Sequence, residues 1–204
     1  MVSIWKRLAL TGTIVVAAVG TLGVAPASAR SIPCQPRALS TAFSQWGDQN
    51  DYFTVTYGTF EAGAASWSLL GQAKVKTGVQ APWKVNGANH NSAMVLPPTS
   101  RASAPATCVI VGEEYFRFFY RAPASRNAYM NVTVMATSSV TSKMNTVRLQ
   151  GTGTAGWFVS PPIAIPNVRP ASPFEQTQMV DISFRAITGE WAIDDVMIDP
   201  FKVR

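Results

Sequence analysis

The strongest constraint on this chain is a recurring period-two alternation of apolar and polar residues in short runs cut by Gly, Pro, Ser and Asn. The runs cover 52–57, 67–75, 92–96, 107–111, 114–121, 128–136, 145–150, 155–160, 179–187 and 190–198. Turn signals separate them at Asn86-Gly87, Pro97-Pro98, Gly151-Thr152-Gly153, Pro161-Pro162 and Pro170 to Pro173. Alternation at this period places successive side chains on opposite faces of a strand. Many short strands with turns between them predict an all-β chain, an antiparallel β-sandwich. One short helix is expected around Arg37 to Trp46, in a stretch that lacks an apolar stripe. No internal repeat is visible.

The alternation also assigns faces. In 114–121, Phe116, Phe118 and Tyr120 share one side, and Tyr115, Arg117, Phe119 and Arg121 the other. In 128–136, Met130, Val132 and Val134 read as inward, Tyr129, Asn131 and Thr133 as outward. In 179–187, Val180, Ile182 and Phe184 oppose Asp181, Ser183 and Arg185. Each strand thus has one core face and one polar face.

Lys6 and Arg7, the apolar stretch Leu8 to Val24 and the small residues Ala27-Ser28-Ala29 have the form of a secretory signal, residues 1–29. Residues 30–204 then form one domain, soluble outside the cytoplasm and without a further membrane segment. Cys34 and Cys108 both fall in the exported part. An oxidising compartment favours an internal disulfide between them, tying residues 30–54 as an N-terminal extension; two buried thiols or intermolecular bridges are the alternatives. With two cysteines and one histidine, a zinc site of the usual nitrogen–sulfur type is disfavoured. The formal net charge is +6, of which Lys6 and Arg7 leave with the signal. A mild positive excess suits anionic wall polymers but is common among exported proteins. No Lys/Arg run points to nucleic acid.

Two segments carry a resemblance. Phe60-Glu61-Ala62-Gly63 with Trp67 reads F-E-x-G-x-x-x-W, and Trp191 to Pro200 reads W-x-I-D-D-V-x-I-D-P. With Val85 to Leu96 and Tyr115 to Ala122, they resemble galactose-binding-like jelly rolls, above all the carbohydrate-binding modules of secreted glycoside hydrolases. The layout, including Trp46-Gly47-Asp48 and the two cysteines, is similar to that of secreted bacterial proteins of this size. The resemblance implies a jelly-roll sandwich and a structural Ca²⁺ on Glu61 and Asp194, completed by backbone carbonyls. By strict alternation Asp194 shares a side with Val196 and Ile198, and Asp195 with Ile193 and Met197, so one strand does not easily aim both at one ion. The competing view is that these acids satisfy turn amides. Asp48-Gln49-Asn50-Asp51 lacks the ligand spacing of an EF-hand and reads as a turn.

A sugar platform needs flat aromatics for pyranose C–H faces and planar polar groups for hydroxyls. Tyr115, Arg117, Phe119, Arg121, Tyr129 and Asn131 offer that mixture if their two strands are neighbours in one sheet. Trp46 and Trp83, near turns, are alternative platforms; Trp67 and Trp191 read as core. The bland alternative is an ordinary solvated sheet face. His90, the sole histidine, lies in a turn-like stretch without a nucleophile elbow and reads as a turn or rim residue. Glu113 and Glu114 point to opposite faces and cannot pair across a cleft. Asn131-Val132-Thr133 matches a glycosylation sequon in a strand-like setting. The expectation is a monomeric, secreted, non-catalytic protein that binds polysaccharide. The alternatives are a surface interaction module without a sugar site and a hydrolase using Glu61 and Asp194.

Overall fold

A computed structural model describes residues 34–85, 90–168 and 176–200. The expected leader, the Asn86-Gly87 turn and the Pro170 to Pro173 turn lie outside these residues. The described strands are β1 (Phe53–Thr54), β2 (Ser68–Leu70), β3 (Lys74–Thr77), β4 (Ser92–Leu96), β5 (Arg101–Ser103), β6 (Thr107–Ile110), β7 (Tyr115–Ala122), β8 (Tyr129–Thr137), β9 (Ser142–Gln150), β10 (Gly156–Val159), β11 (Ile163–Ala164), β12 (Thr177–Thr188) and β13 (Trp191–Asp199). They form two antiparallel sheets. One runs β10-β7-β13-β4-β3, with β1 also on β13 and β11 on β7; the other runs β2-β5-β12-β8-β9, with β6 on β12. The fold is the expected antiparallel β-sandwich. No helix among the described residues is long and apolar enough to cross a membrane.

Three local expectations change. The run 67–75 is two strands, β2 and β3, in different sheets. Gly71 divides them with φ +68°, a left-handed conformation that side-chain-bearing residues resist. The expected helix is a single 3-10 turn, Ser44–Trp46. The short strands β5 and β11 escaped the alternation because three and two residues are too few to show a period.

The main core lies between the sheets. β7 contributes Phe116, Phe118 and Tyr120, β8 Met130, Val132 and Val134, and β12 Val180, Ile182 and Phe184. Trp67 and Trp191 are buried there, as their strand context implied. These inward faces match the sequence parity.

The outward face of the larger sheet does not match. Phe119, expected on a solvated face, is 0% exposed, and Arg117 is 9% exposed. The N-terminal segment covers them. Cys34 is joined to Cys108, and the Arg37 guanidinium donates to Glu113 and to the Cys108 carbonyl. A backbone bridge between Ser40 and Tyr52 then closes the segment over the sheet. Phe43 and Tyr52 descend from it onto Phe119 and Met197, with Ala42 and Ala81, forming a second small core. Phe43 sits 5.4 Å from Phe119 ring to ring, and Trp83 from the next loop 5.1 Å. Alternation reports which side a residue faces, not what covers that side.

Phe118 and Phe119, on opposite rows of β7, are therefore both structural. Phe118→Ala and Phe119→Ala should each cost about 3–5 kcal/mol, the range for losing a buried phenylalanine, read from chemical denaturation. A Phe119→Ala protein as stable as its parent would show that the N-terminal cover contributes nothing. Removing the crosslink with Cys34→Ser plus Cys108→Ser should cost about 2–5 kcal/mol by the same measurement.

Candidate functional site

The cover does not seal the sheet. At the end of the 3-10 turn, Gly47 takes φ +81° and swings the chain away from the sheet. This leaves an open cleft of about 590 Å³ lined by Trp46, Gly47, Asp48, Gln49, Asn50 and Tyr52 on one wall and by Tyr115, Arg117, Pro162 and Asp199 on the other. The volume is in the range of small-molecule sites. The expected residues Trp46, Tyr115 and Arg117 meet here, although they come from a turn and a strand far apart in sequence.

A hydrogen-bond network holds the cleft floor. Arg117 Nη1 donates to Asp48 Oδ2 at 2.6 Å, and its Nε and Nη2 donate to the Ser160 carbonyl at 3.1 and 2.9 Å. The guanidinium lies over the Phe43 ring, 4.7 Å from its centroid. Tyr52 Oη donates to the same Asp48 oxygen at 2.7 Å. Burial, then that hydrogen bond, holds the Tyr52 phenol well above its ordinary value. The Asn50 amide donates to Asp48 Oδ1, and Asn50 Nδ2 to Asp199 Oδ2 at 2.9 Å. Residues 48–51, expected to be a turn, are irregular chain in which the Asp48 side chain accepts the Asn50 amide as in an Asx-turn. Gln49 and Asn50 are exposed, and Trp46 and Tyr115 half-buried.

The remaining platform candidates are elsewhere. Trp83 and Phe119 stand behind Trp46, with Trp83 edge-on to it at 5.0 Å. Arg121 is exposed further along β7, beside Glu190 and Trp191. Tyr129 and Asn131 are on β8, in the other sheet. The single platform of six residues is therefore ruled out, because the connection from β7 to β8 crosses between sheets. On that second face Arg148 lies over the Tyr129 ring at 4.3 Å, and Asn131 stands between Arg148 and Arg185 in register.

The acids expected around calcium occupy another place. Glu61 Oε1 accepts the backbone N–H groups of Asn91 and Ser92 at 2.8 and 2.9 Å. Asp194 and Asp195 are 0% exposed. Asp194 Oδ2 accepts the Ala81 N–H and Oδ1 the Asp195 N–H, both at 2.9 Å. Burial first, then the charge of Asp195, pushes the Asp194 carboxyl well above its ordinary value.

The strict alternation assumed for these acids fails, because β13 carries a bulge. Its pairing with β7 shifts register between Asp194 and Met197, and Asp195 takes φ +46°. Trp191 and Ile193 point into the main core before the bulge, Val196 and Ile198 after it. Inward parity passes from odd to even numbers, so Asp194 and Asp195 both belong to the outward side. The apolar spacing 191, 193, 196, 198 carried that phase slip in the sequence. His90, read as a rim residue, completes the group: its side chain is 4% exposed, with Nε2 3.8 Å from Asp194 Oδ2 and Nδ1 3.9 Å from Asp195 Oδ2. One ligand atom from each of His90, Asp194 and Asp195 lies within 4.8 Å of the others.

Calcium requires six to eight oxygens. Here one Glu61 oxygen already takes two amide donors, and an imidazole lies within 3.9 Å of an oxygen of each aspartate. That donor set does not fit an oxygen-only shell.

No protein-family profile matches the chain, and no curated protein matches it. Solved structures of similar architecture include TmCBM61 in complex with β-1,4-galactotriose, 16% identical over 74% of this chain and 98% of that one, TM-score 0.46. Another is the C-terminal family 22 carbohydrate-binding module of Clostridium thermocellum Xyn10B, 12% identical over 74% and 96%, TM-score 0.43. A third is the adhesin domain of Lys-gingipain from Porphyromonas gingivalis, 16% identical over 70% and 96%, TM-score 0.42.

The cleft network has a pH signature. Burial raises the Asp48 carboxyl, but hydrogen bonds from Tyr52, Arg117 and the Asn50 amide outweigh it and hold the group below its ordinary 3.8. A lowered folded-state value stabilises the fold fully above about pH 4 and is lost as pH falls through that folded value. Asp48→Asn should therefore lower Tm near neutrality and flatten its fall below about pH 4. A parent-like acid limb in differential scanning calorimetry would contradict this.

Proposed function

We propose that the chain is a secreted, non-catalytic β-sandwich protein that binds an extracellular or cell-wall polysaccharide in the Trp46–Tyr115 cleft. The observation that carries the reading is the composition of that cleft. Two half-buried aromatic rings, Trp46 and Tyr115, flank a floor of guanidinium, carboxylates and amides. Rings accept the apolar C–H face of a pyranose, and the planar polar groups match pairs of hydroxyls. Arg117 is balanced by Asp48, and Asp199 adds further acid, so the cleft suits a neutral glycan better than an anionic one.

The non-catalytic reading has its own support. Hydrolysis of a glycosidic bond uses two carboxyl groups facing each other across the substrate. Asp48 is tied to Arg117 and Tyr52, and Asp199 to Asn50, while Glu61 and Asp194 lie outside the cleft lining. Export is supported by the leader-like N-terminus together with the crosslink, which persists in oxidising compartments.

The test is a glycan array followed by calorimetry with the residue 30–204 protein. Tyr115→Ala and Gln49→Ala should each weaken binding about tenfold or more, about 1.4 kcal/mol, with the fold intact. Tyr129→Ala should leave affinity unchanged. If Tyr129→Ala abolishes binding and Tyr115→Ala does not, the site is on the smaller sheet. If no glycan binds, the interaction-module reading replaces this one.

A further inference from the structure

The bulge in β13 turns two consecutive carboxylates toward one imidazole, inside the protein. A regular strand places neighbouring side chains on opposite faces. Here the non-glycine left-handed residue Asp195 holds a backbone conformation that costs free energy, and such positions persist where the surroundings fix them. The surroundings are specific. The Val196 N–H, displaced from the ladder, donates to the Gly58 carbonyl at 3.0 Å, and the Val55 N–H donates to the Val196 carbonyl.

The loop opposite is equally specific. Ala81 uses both of its backbone groups on this cluster. Its N–H donates to Asp194 Oδ2 at 2.9 Å, and its carbonyl is 2.7 Å from His90 Nε2. A carbonyl only accepts, so Nε2 carries the proton. The lone pair available to a ligand is then on Nδ1, the nitrogen that faces Asp195 Oδ2 at 3.9 Å. This is the arrangement that fixes the tautomer of a metal-bound histidine: one ring nitrogen held by a backbone carbonyl, the other presented to the ion.

We propose that His90 Nδ1, Asp194 and Asp195 bind a first-row divalent transition ion, with Zn²⁺ the best match, at the place where calcium was expected. One imidazole and two carboxylates form a mixed nitrogen–oxygen set, which suits borderline ions and not an oxygen-only shell. It differs from the cysteine-based site that the composition disfavours. Zinc bonds of about 2.0–2.2 Å place tetrahedral ligands roughly 3.3 Å apart. Nδ1 stands 3.9 Å from Asp195 Oδ2, and one ligand atom from each of the three residues lies within 4.8 Å of the others, so side-chain rotations, chiefly of Asp194 toward Nδ1, close the group around an ion. Three protein ligands leave a fourth position for water. With side chains 4% exposed or less, the ion is a structural clamp. It joins Ala81 and His90 to the bulge of β13.

The experiment uses the residue 30–204 protein stripped with chelator and dialysed, then given Zn²⁺, Mn²⁺ or Ca²⁺ singly. Zn²⁺ should raise Tm, saturating at one equivalent, and elemental analysis should return one zinc per chain after gel filtration. Co²⁺ should give visible ligand-field absorption. His90→Gln, which keeps a side chain of similar reach but offers no imidazole, and Asp195→Asn should each abolish the Tm rise and the cobalt spectrum. Glu61→Gln should retain both. If a variant fails to fold, zinc stoichiometry and the cobalt spectrum of the parent still decide. A rise with Ca²⁺ alone, a zinc effect that survives His90→Gln, or no response to any ion would overturn the site. Glycan binding is read separately and does not enter the outcome.

Discussion

The larger sheet is buried on both faces along β13, and everything specific to this protein follows from how its second face is covered. β13 is buried along its whole length. It pairs with β1, β4 and β7 and sends residues into two separate cores. A sandwich of two sheets covers only the inner faces. The outer face of β7 and β13 needs a third layer, and residues 34–52 with the loop through Trp83 provide it. The aromatic cluster of Phe43, Trp46, Tyr52, Trp83 and Phe119 is that layer's contact, with edge and tilted ring geometries that add to simple area burial.

The same layer creates the two chemical features of the molecule. Where it stands off the sheet, past Gly47, it opens the cleft. Where the loop through Ala81 presses down, it meets the outward side of the β13 bulge and encloses His90 with Asp194 and Asp195. Both are consequences of covering a twisted sheet with irregular chain, whose backbone groups seek partners among side chains. Asp48, Asp194 and Glu61 each accept such backbone N–H groups.

Much of this was legible in the sequence, by different signals with different reach. Period-two alternation placed nine strands and the inward rows of β7, β8 and β12, because inward residues are selected for being apolar. It mistook Phe119 for a surface residue, since the cover comes from a segment with no periodicity of its own. It left open whether β7 and β8 share a sheet, because alternation carries no information on sheet membership, and they do not. The oxidising-compartment argument paired Cys34 with Cys108, as the structure has them. The phase slip in β13 was readable from the spacing of Ile193 and Val196 but was passed over for a regular strand. His90 gave no local signal, because its partners are Ala81 and a strand a hundred residues away.

The cleft is a composite, with one wall from the covering segment and one from the sandwich. The segment is anchored at both ends, by the crosslink at Cys34 and by the pairing of β1 with β13. Its ordering entropy is therefore spent during folding and not at the moment of binding. A site organised in this way closes little around its ligand and gains affinity from preorganisation. Under the proposed function the disulfide is also a maturation step: until Cys34 and Cys108 join, the wall that carries Trp46 lacks its covalent anchor.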